Sequence, residues 1–552
     1  MRRAPRLLLA VLLLGTVLRL VHYLLGRSLW LDEARLALDI ASLSWTELLK
    51  PLPYDQAGPP LFLWGVKALT AGFGVNEWAL RAIPLAAGIG VVWLIYPVAR
   101  RFVSAPAATV AAAIVAFSPS LIFFSNEVKP YSTDAFATLM LLALAAAWHE
   151  EPGNTRRWAL LTVAGAIAVW LSAPAVLILA GIGGASLLHG AIRSRTFIRL
   201  LASGAVWILS FVTAYLLVYQ PASRNPYLRE YWAPALLVPG TPDLPRRTWL
   251  VMRALVWGIP FGHPGPIYAS PIELLLMSPM TLLVVIVMAL GVARLLREGK
   301  ARAALVLAPL AVMLAATVVG AYPLALRLSL FTAGLLVVLV AAGIEWMSTD
   351  VPGTRRTLVG ATVAGLLLTL PVTHAVPDLI RWPAPQHFRP LIQRYEAVAG
   401  TEPIYVHPGA LPAWAFYTTD WAAPDTARLA FLSRIGSSGG GAFENAPSRG
   451  AVIGEGSDLV RTYKGRQEIF GVPVGLQLHA FLGRTKALPD SGWTEHEISR
   501  IRSEADSAVW LLFAHLSGHG PEMEFLEEMR GNSISEERWY ERGVGLMRLQ
   551  LR

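Results

Sequence analysis

The stretch PPLFLWGVKALTAGF, residues 59–73, opens with two prolines, carries Lys67 in its middle and is otherwise apolar. It is short for a crossing, which takes about 20 apolar residues for about 30 Å of hydrocarbon. Longer apolar stretches fall near 5–25, 82–100, 105–124, 132–149, 158–172, 174–191, 200–219, 272–293, 303–321, 328–347 and 357–374. Whether 59–73 crosses therefore inverts the side of everything downstream. If it does not cross, Arg2/Arg3/Arg6, Arg100/Arg101, Arg156/Arg157, Arg193/Arg195/Arg199, Arg294/Arg297/Lys300/Arg302 and Arg355/Arg356 share one side. If it does, the N-terminal cluster stands opposite all the others. The positive-inside rule thus predicts an interfacial or half-inserted helix at 59–73, about eleven spans and a cytoplasmic N-terminus.

Composition bounds the class. The 552 residues are 55% hydrophobic and only 15% charged, against about 25% charged in an ordinary soluble chain, so lipid must solvate most of this one. The absence of cysteine excludes disulfides, thiolate metal sites and cysteine nucleophiles. A net charge of +10 comes largely from arginines in short loops, which reports topology rather than a nucleic-acid partner. Arg2-Arg3-Ala4-Pro5-Arg6 before a long apolar run resembles the start of a signal peptide. The run is longer than an h-region, no clean cleavage site follows and more spans come later, so a first transmembrane helix is predicted.

The expected division is a transmembrane part, 1–374, and a soluble α/β domain, 375–552, on the outer side. After His374 charge rises and long apolar runs stop. PIYV (403–406), AVWLLFAHL (508–516) and GVGLMRLQL (543–551) read as strands, and HFRPLIQRYEAVAG (387–400) and PEMEFLEEMRG (521–531) as helices. Gly436–Gly441 (GSSGGG) lacks the Lys-Ser/Thr ending of a phosphate-binding loop and reads as flexible.

On this topology the polar loops face outward. The first, about 26–81, holds Trp30-Leu31-Asp32-Glu33 just after the first span. At the interface two carboxylates stay ionised, whereas at mid-bilayer each costs about 2.5–3.5 kcal/mol on insertion scales. They are candidate reactive groups; their plainer role is the first turn of a helix starting near Ala34, worth about 0.3–1 kcal/mol each. The second loop carries Glu127, Lys129, Tyr131 and Asp134, with Pro130 predicting a break before a helix resumes; an interfacial belt of Lys and Tyr is the alternative. A long loop from Gln220 to about Pro271 is rich in Tyr, Trp, Arg and Pro, and a late turn runs from Tyr322 to Arg327. Arg327 is suited to a phosphate oxygen pair through its planar fork, or it snorkels. His407, His515 and His519 are weaker candidates for a metal.

Taken together, WLDEA after the first span, PPLFLW leading to NEWALRAIP, SNEVKPYSTD and YPLALRLSLF resemble the C-type integral membrane glycosyltransferases that use polyprenyl-phosphate sugars. The likeness is to family thirty-nine and its bacterial relatives, the protein O-mannosyltransferases, with lipid A aminoarabinose transferases further away. It covers about residues 5–350. It implies a catalytic pair at Asp32 and Glu33, a second-loop acid at Asp134, and the late arginine at Arg327. With these go Lys129, Arg327 and Tyr322 as donor-phosphate contacts and Glu127, Tyr131 and Asp134 as supporting groups. Aminoarabinose transferases carry a lysine before the first proline of the interfacial helix, where this chain has Gly58, which disfavours that branch.

The implied activity is inverting sugar transfer from a polyprenyl phosphate to an acceptor hydroxyl or amine, outside the bacterial cytoplasmic membrane. Protein, lipid or glycan is the acceptor; no cofactor is implied, and a divalent metal is left open without being indicated. A transporter or lipid flippase is the competing class, but its ionisable residues belong near the midplane in repeated halves. An inactive scaffold for envelope assembly is the other.

Overall fold

A computed structural model describes residues 3–188, 195–263, 271–349, 354–380, 386–407, 409–437, 460–463, 466–470, 492–514 and 521–552. The chain is a polytopic helical membrane protein with a C-terminal α/β part. In order come α1 (Arg3–Leu24), α2 (Leu31–Ser42), α3 (Pro60–Phe73), α4 (Glu77–Ala99), α5 (Ala105–Phe117), α6 (Pro119–Phe124), α7 (Tyr131–Glu150), α8 (Thr155–Leu171) and α9 (Ala175–Leu188). Then follow α10 (Arg195–Ala214), α11 (Gln220–Ser223), α12 (Pro226–Trp232), α13 (Leu244–Arg253), α14 (Pro271–Glu298), α15 (Lys300–Val318), α16 (Ala333–Thr349) and α17 (Thr354–Ile380).

Each predicted span coincides with one helix or two, and among the described residues eight helices are long and apolar enough to cross a membrane by length and composition. The span expected over 105–124 is cut at Ser118-Pro119, and α8 stops ahead of Ala173-Pro174. Proline removes a backbone donor and pushes its predecessor out of the α region. α3, with 14 residues, is about 21 Å long, well short of about 30 Å of hydrocarbon. It lies against α2, where Lys67 donates to the Ile40 carbonyl at 3.0 Å.

Small residues set the helix spacing in the bundle. A Cβ on Gly343 would meet the Val287 carbonyl oxygen at 1.8 Å, and one on Gly291 the Leu339 oxygen at 2.1 Å, so α14 and α16 touch backbone to backbone. Around this contact α5 and α16 bury Ala112, Val115, Val337, Val340 and Ala341.

Beyond α17 come α18 (Arg389–Val398), β1 (Ile404–Val406), α19 (Leu411–Thr418), α20 (Thr426–Ser437), β2 (Val460–Tyr463), β3 (Arg466–Phe470), α21 (Gly492–Glu504), β4 (Ala508–Ala514), α22 (Pro521–Gly531), β5 (Ser533–Glu541) and β6 (Val544–Leu551). The sheet runs β2-β3-β1-β4-β6-β5. β1 is parallel to β3 and β4, with Tyr405 opposite Ile469 and Leu511. β6 is antiparallel to β4, Leu511 facing Met547, and to β5, Trp539 facing Leu546. The all-buried β4 is a central strand, as its unbroken apolar run requires.

His515, His519 and most of the Gly436–Gly441 loop lie outside the described residues.

One apolar core joins the two parts. Leu29, Leu36, Ile40 and Phe62 of the first loop pack in a single cluster with Phe388, Trp414, Trp510 and Leu546 of the C-terminal part. α2 is thus held between the bundle and the sheet.

Candidate active site

α2 starts at Leu31, so Asp32 and Glu33 both lie in its first turn, where the helix dipole favours negative charge. Neighbouring positions on a helix point about 100° apart, and the two carboxylates go to different tasks.

Asp32 is one-fifth exposed and holds a cation on each oxygen. Lys129 Nζ lies 3.1 Å from Oδ1 and Arg327 Nη1 lies 2.8 Å from Oδ2. Arg327 also donates through Nη2 to the Tyr231 hydroxyl at 3.2 Å and sits over the Trp232 ring, 4.9 Å from its centre. Lys129 donates in addition to Gln56 Oε1. Burial disfavours the Asp32 anion, yet Lys129 and Arg327 outweigh it and hold its pKa well below the carboxylate range. Burial and the Arg327 charge press the Lys129 ammonium downward, against the pull of Asp32.

Glu33 is fully buried and both of its oxygens are engaged. Arg81 donates through Nε at 2.8 Å to Oε1 and through Nη2 at 2.6 Å to Oε2, and the Val128 N–H donates at 2.9 Å to Oε1. Against burial, Arg81 and Arg27 keep its pKa low. Arg81 is delivered by α4, whose start is capped by Asn76 accepting the Ala79 N–H at 2.9 Å. By holding Val128, Glu33 sets the loop that aims Lys129 at Asp32. Its geometry is that of a group orienting the loop, with no oxygen left over for a reacting proton.

Glu127 is buried between Arg27 and the Trp30 indole, which donates at 2.6 Å. Burial, with Glu33 nearby, lifts its pKa to about 7 against the pull of Arg27. It anchors the stretch before α2 rather than meeting Asp32. Tyr131 opens α7, buried and edge-on to Phe124 at 5.3 Å, and its phenol is among the groups that act electrostatically on Arg327. Tyr322 spends its hydroxyl proton on the Leu328 carbonyl at 2.7 Å, bracing the turn that carries Arg327. Asp134 is buried in the first turn of α7 with Oδ1 unpartnered; its charge is felt by Tyr219 and Tyr322. The structure therefore brings Asp32, Lys129 and Arg327 into contact, sets Glu33 and Tyr322 as braces, and leaves Glu127 and Asp134 to either side. Among the described residues no three histidine or carboxylate groups converge as metal ligands.

Several site residues carry no signal in the sequence. Gln56, Arg27 and Arg81 look like ordinary loop and helix-end residues, and only the aromatic richness of the 220–271 loop hints at Tyr231 and Trp232.

No protein of curated function matches the chain in sequence. Among solved structures, the oligosaccharyltransferase of Archaeoglobus fulgidus in its apo form aligns at 14% identity and a TM-score of 0.45, over 74% of this chain and 63% of that one. This chain thus spans less than two thirds of that enzyme's length. The same enzyme tethered to an acceptor peptide with an NVT sequon gives 14% identity and 0.46, over 74% of this chain and 62% of that one. ArnT from Cupriavidus metallidurans bound to undecaprenyl phosphate gives 16% and 0.41, over 78% and 74%. In sequence, residues 57–219, which include α3, Arg81 and the Lys129 loop, match the family model described as dolichyl-phosphate-mannose-protein mannosyltransferase.

Proposed function

We propose that this chain transfers a hexosyl or pentosyl group, with inversion, from a polyprenyl-phosphate donor to an acceptor hydroxyl or amine. The reaction takes place at the outer face of a bacterial cytoplasmic membrane, with the N-terminus inside. One observation carries the proposal: a carboxylate held by a lysine and an arginine on separate oxygens. That is the complement a sugar phosphate needs. The phosphate is already a good leaving group, so the site must supply cations for its charge and a base for the acceptor proton. The match of residues 57–219 to a family described by its dolichyl-phosphate-mannose donor supports the same donor class. The arginine clusters on one side support the orientation.

In the step itself the acceptor oxygen or nitrogen attacks the anomeric carbon as the bond to the phosphate oxygen breaks. The acceptor proton passes to Asp32 and the new phosphate charge to Lys129 and Arg327. Paired as it is without donor, Asp32 is too acidic to be a good base. A donor phosphate competes for the same two cations, and a carboxylate that loses them regains basicity. The base is thereby switched on by the donor, which protects the site from idle proton uptake.

The test is transfer of labelled sugar from polyprenyl phosphate by the full chain in lipid. Asp32→Asn keeps the shape and removes the base, so turnover is expected to fall about 10²-fold or more. Near-normal turnover in that variant overturns Asp32 as the base, and no transfer by the parent chain overturns the proposed activity.

A further inference from the structure

The helix that presents Asp32 begins without a local cap. Its cap position is Trp30, which offers no side-chain oxygen to the first amides of α2, and such orphan donors need a partner when buried. The partner comes from 355 residues away: Gln386 Oε1 accepts the Leu31 N–H at 2.8 Å. Gln386 is 2% exposed.

The same C-terminal part grips the whole approach to α2. His387 Nδ1 and the Ser28 hydroxyl share a hydrogen bond of 3.0 Å, and the Arg389 N–H donates to Ser28 Oγ at 3.1 Å. Arg389 also donates to the Gly26 carbonyl at 3.1 Å and pairs with Glu77. Tyr417 accepts the Leu29 N–H at 2.7 Å and donates to Glu77 at 2.8 Å. Asp32 therefore lies between two fixed points, Leu31 tied to Gln386 and Glu33 tied to Arg81 and Val128.

We infer that Gln386 is a positioning residue for glycosyl transfer: its side-chain carbonyl caps α2 and so places Asp32 between Lys129 and Arg327. The inference rests on the proposed activity for its catalytic consequence, and on the hydrogen bond alone for its structural one. Loss of the cap frees the start of the helix at Leu31 and shifts Asp32, while Glu33, held by Arg81 and Val128, keeps the Lys129 loop in place. Misplacement of a reacting group by about 1 Å costs about 10²-fold in rate, so the loss belongs in kcat and not in donor binding.

The experiment uses the full chain in lipid vesicles with a labelled polyprenyl-phosphate sugar. Gln386→Leu removes the acceptor at similar size, and Gln386→Glu keeps an oxygen for the Leu31 amide. Amide exchange at residues 31–35 is expected to quicken at least about tenfold in Gln386→Leu, with kcat down about 10–10²-fold and donor KM unchanged or lowered, not raised. Gln386→Glu is expected to restore the protection. Arg548→Ala, which breaks the Arg548–Glu402 pair elsewhere on the sheet, serves as the control: it loosens the C-terminal part and leaves kcat unchanged. Unchanged exchange in Gln386→Leu overturns the cap. Faster exchange with normal kcat, or loosening spread over the whole C-terminal part, overturns positioning. Should Asp32→Asn itself turn over normally, Asp32 is not the base and the positioning role of Gln386 fails with it, while the exchange data still judge the cap; no transfer by the parent chain is what overturns the glycosyltransferase reading.

Discussion

Asp32 and its two cations form a closed unit: each oxygen has one partner, and the ion pairs are partly shielded from water. Anything anionic that uses Lys129 and Arg327 must displace the carboxylate. Substitutions on the two sides of this competition should therefore act with opposite sign on affinity for polyprenyl phosphate. Arg327→Ala and Lys129→Ala each remove a charge-assisted contact and are expected to weaken binding by about 1.5–3 kcal/mol. Asp32→Asn removes the competitor and is expected to tighten it, even as transfer is lost. Titration with polyprenyl phosphate checks all three, and weaker binding in Asp32→Asn would mean the carboxylate helps to hold the donor rather than yielding to it. Opposite charges on polar loops between apolar spans are legible from sequence. That Lys129 and Arg327 take separate oxygens of one carboxylate is not, because the two sit in loops 198 positions apart in a 552-residue chain.

The element that concentrates these effects is α2. Its polar positions Asp32, Arg35 and Asp39 recur three and four residues apart on one side of the helix. Asp39 is fully buried in the midst of the apolar cluster, with the Tyr54 backbone N–H and the more distant Lys129 and Arg35 charges as the groups that ease its charge. Burial drives its pKa well above the usual value, with Asp55 adding to the shift and Lys129 and Arg35 offsetting only part of it. The folded chain thus keeps a proton that the unfolded chain releases above about pH 3.9. Since stability falls with pH wherever the folded state binds more protons, the cost of Asp39 is absent in acid and grows as pH rises toward the folded pKa. Asp39→Asn, which does not titrate, is expected to match the parent near pH 4 and to exceed it by about 1–3 kcal/mol at neutral pH. Thermal melting across this range measures the difference; a gap that narrows with pH refutes it. The sequence pattern predicts the helix but starts it near Ala34, whereas α2 spans Leu31–Ser42. The early start depends on Gln386, a partner no local pattern contains.

At the scale of the molecule, the C-terminal α/β part shares its core with the first loop. Phe388, Trp414 and Trp510 pack in one cluster with Leu29, Leu36 and Phe62. A chain fragment covering 386–552 would leave the face of α18 and α19 uncovered and the Gln386, Arg389 and Tyr417 contacts unmade. At about 25 cal/mol per Å2 of apolar surface, a few buried aromatics decide the stability of so small a unit. The fragment is expected to be protease-labile and to bind hydrophobic dye, whereas the full chain is not; a cooperative melt and a protected core in the fragment would show it folds alone. We place its boundary with the membrane part near residue 375, where composition changes, and assign the C-terminal part the task of holding the α2 start.

Sequence by itself determined the membrane class, the position of the long apolar helices and the strands β1, β4 and β6. Those depend on apolar length and on local periodicity, which composition and proline placement write directly into the chain. It also singled out Asp32, Lys129 and Arg327 as charges of polar loops. Tertiary structure alone decided which carboxylate meets the cations and which is spent on Arg81 and Val128, because that depends on a 100° turn of one helix and on who caps it. The antiparallel β5, with its exposed and charged pattern, was equally illegible: as an edge strand it is fixed by pairing with β6, whose register only the assembled sheet supplies.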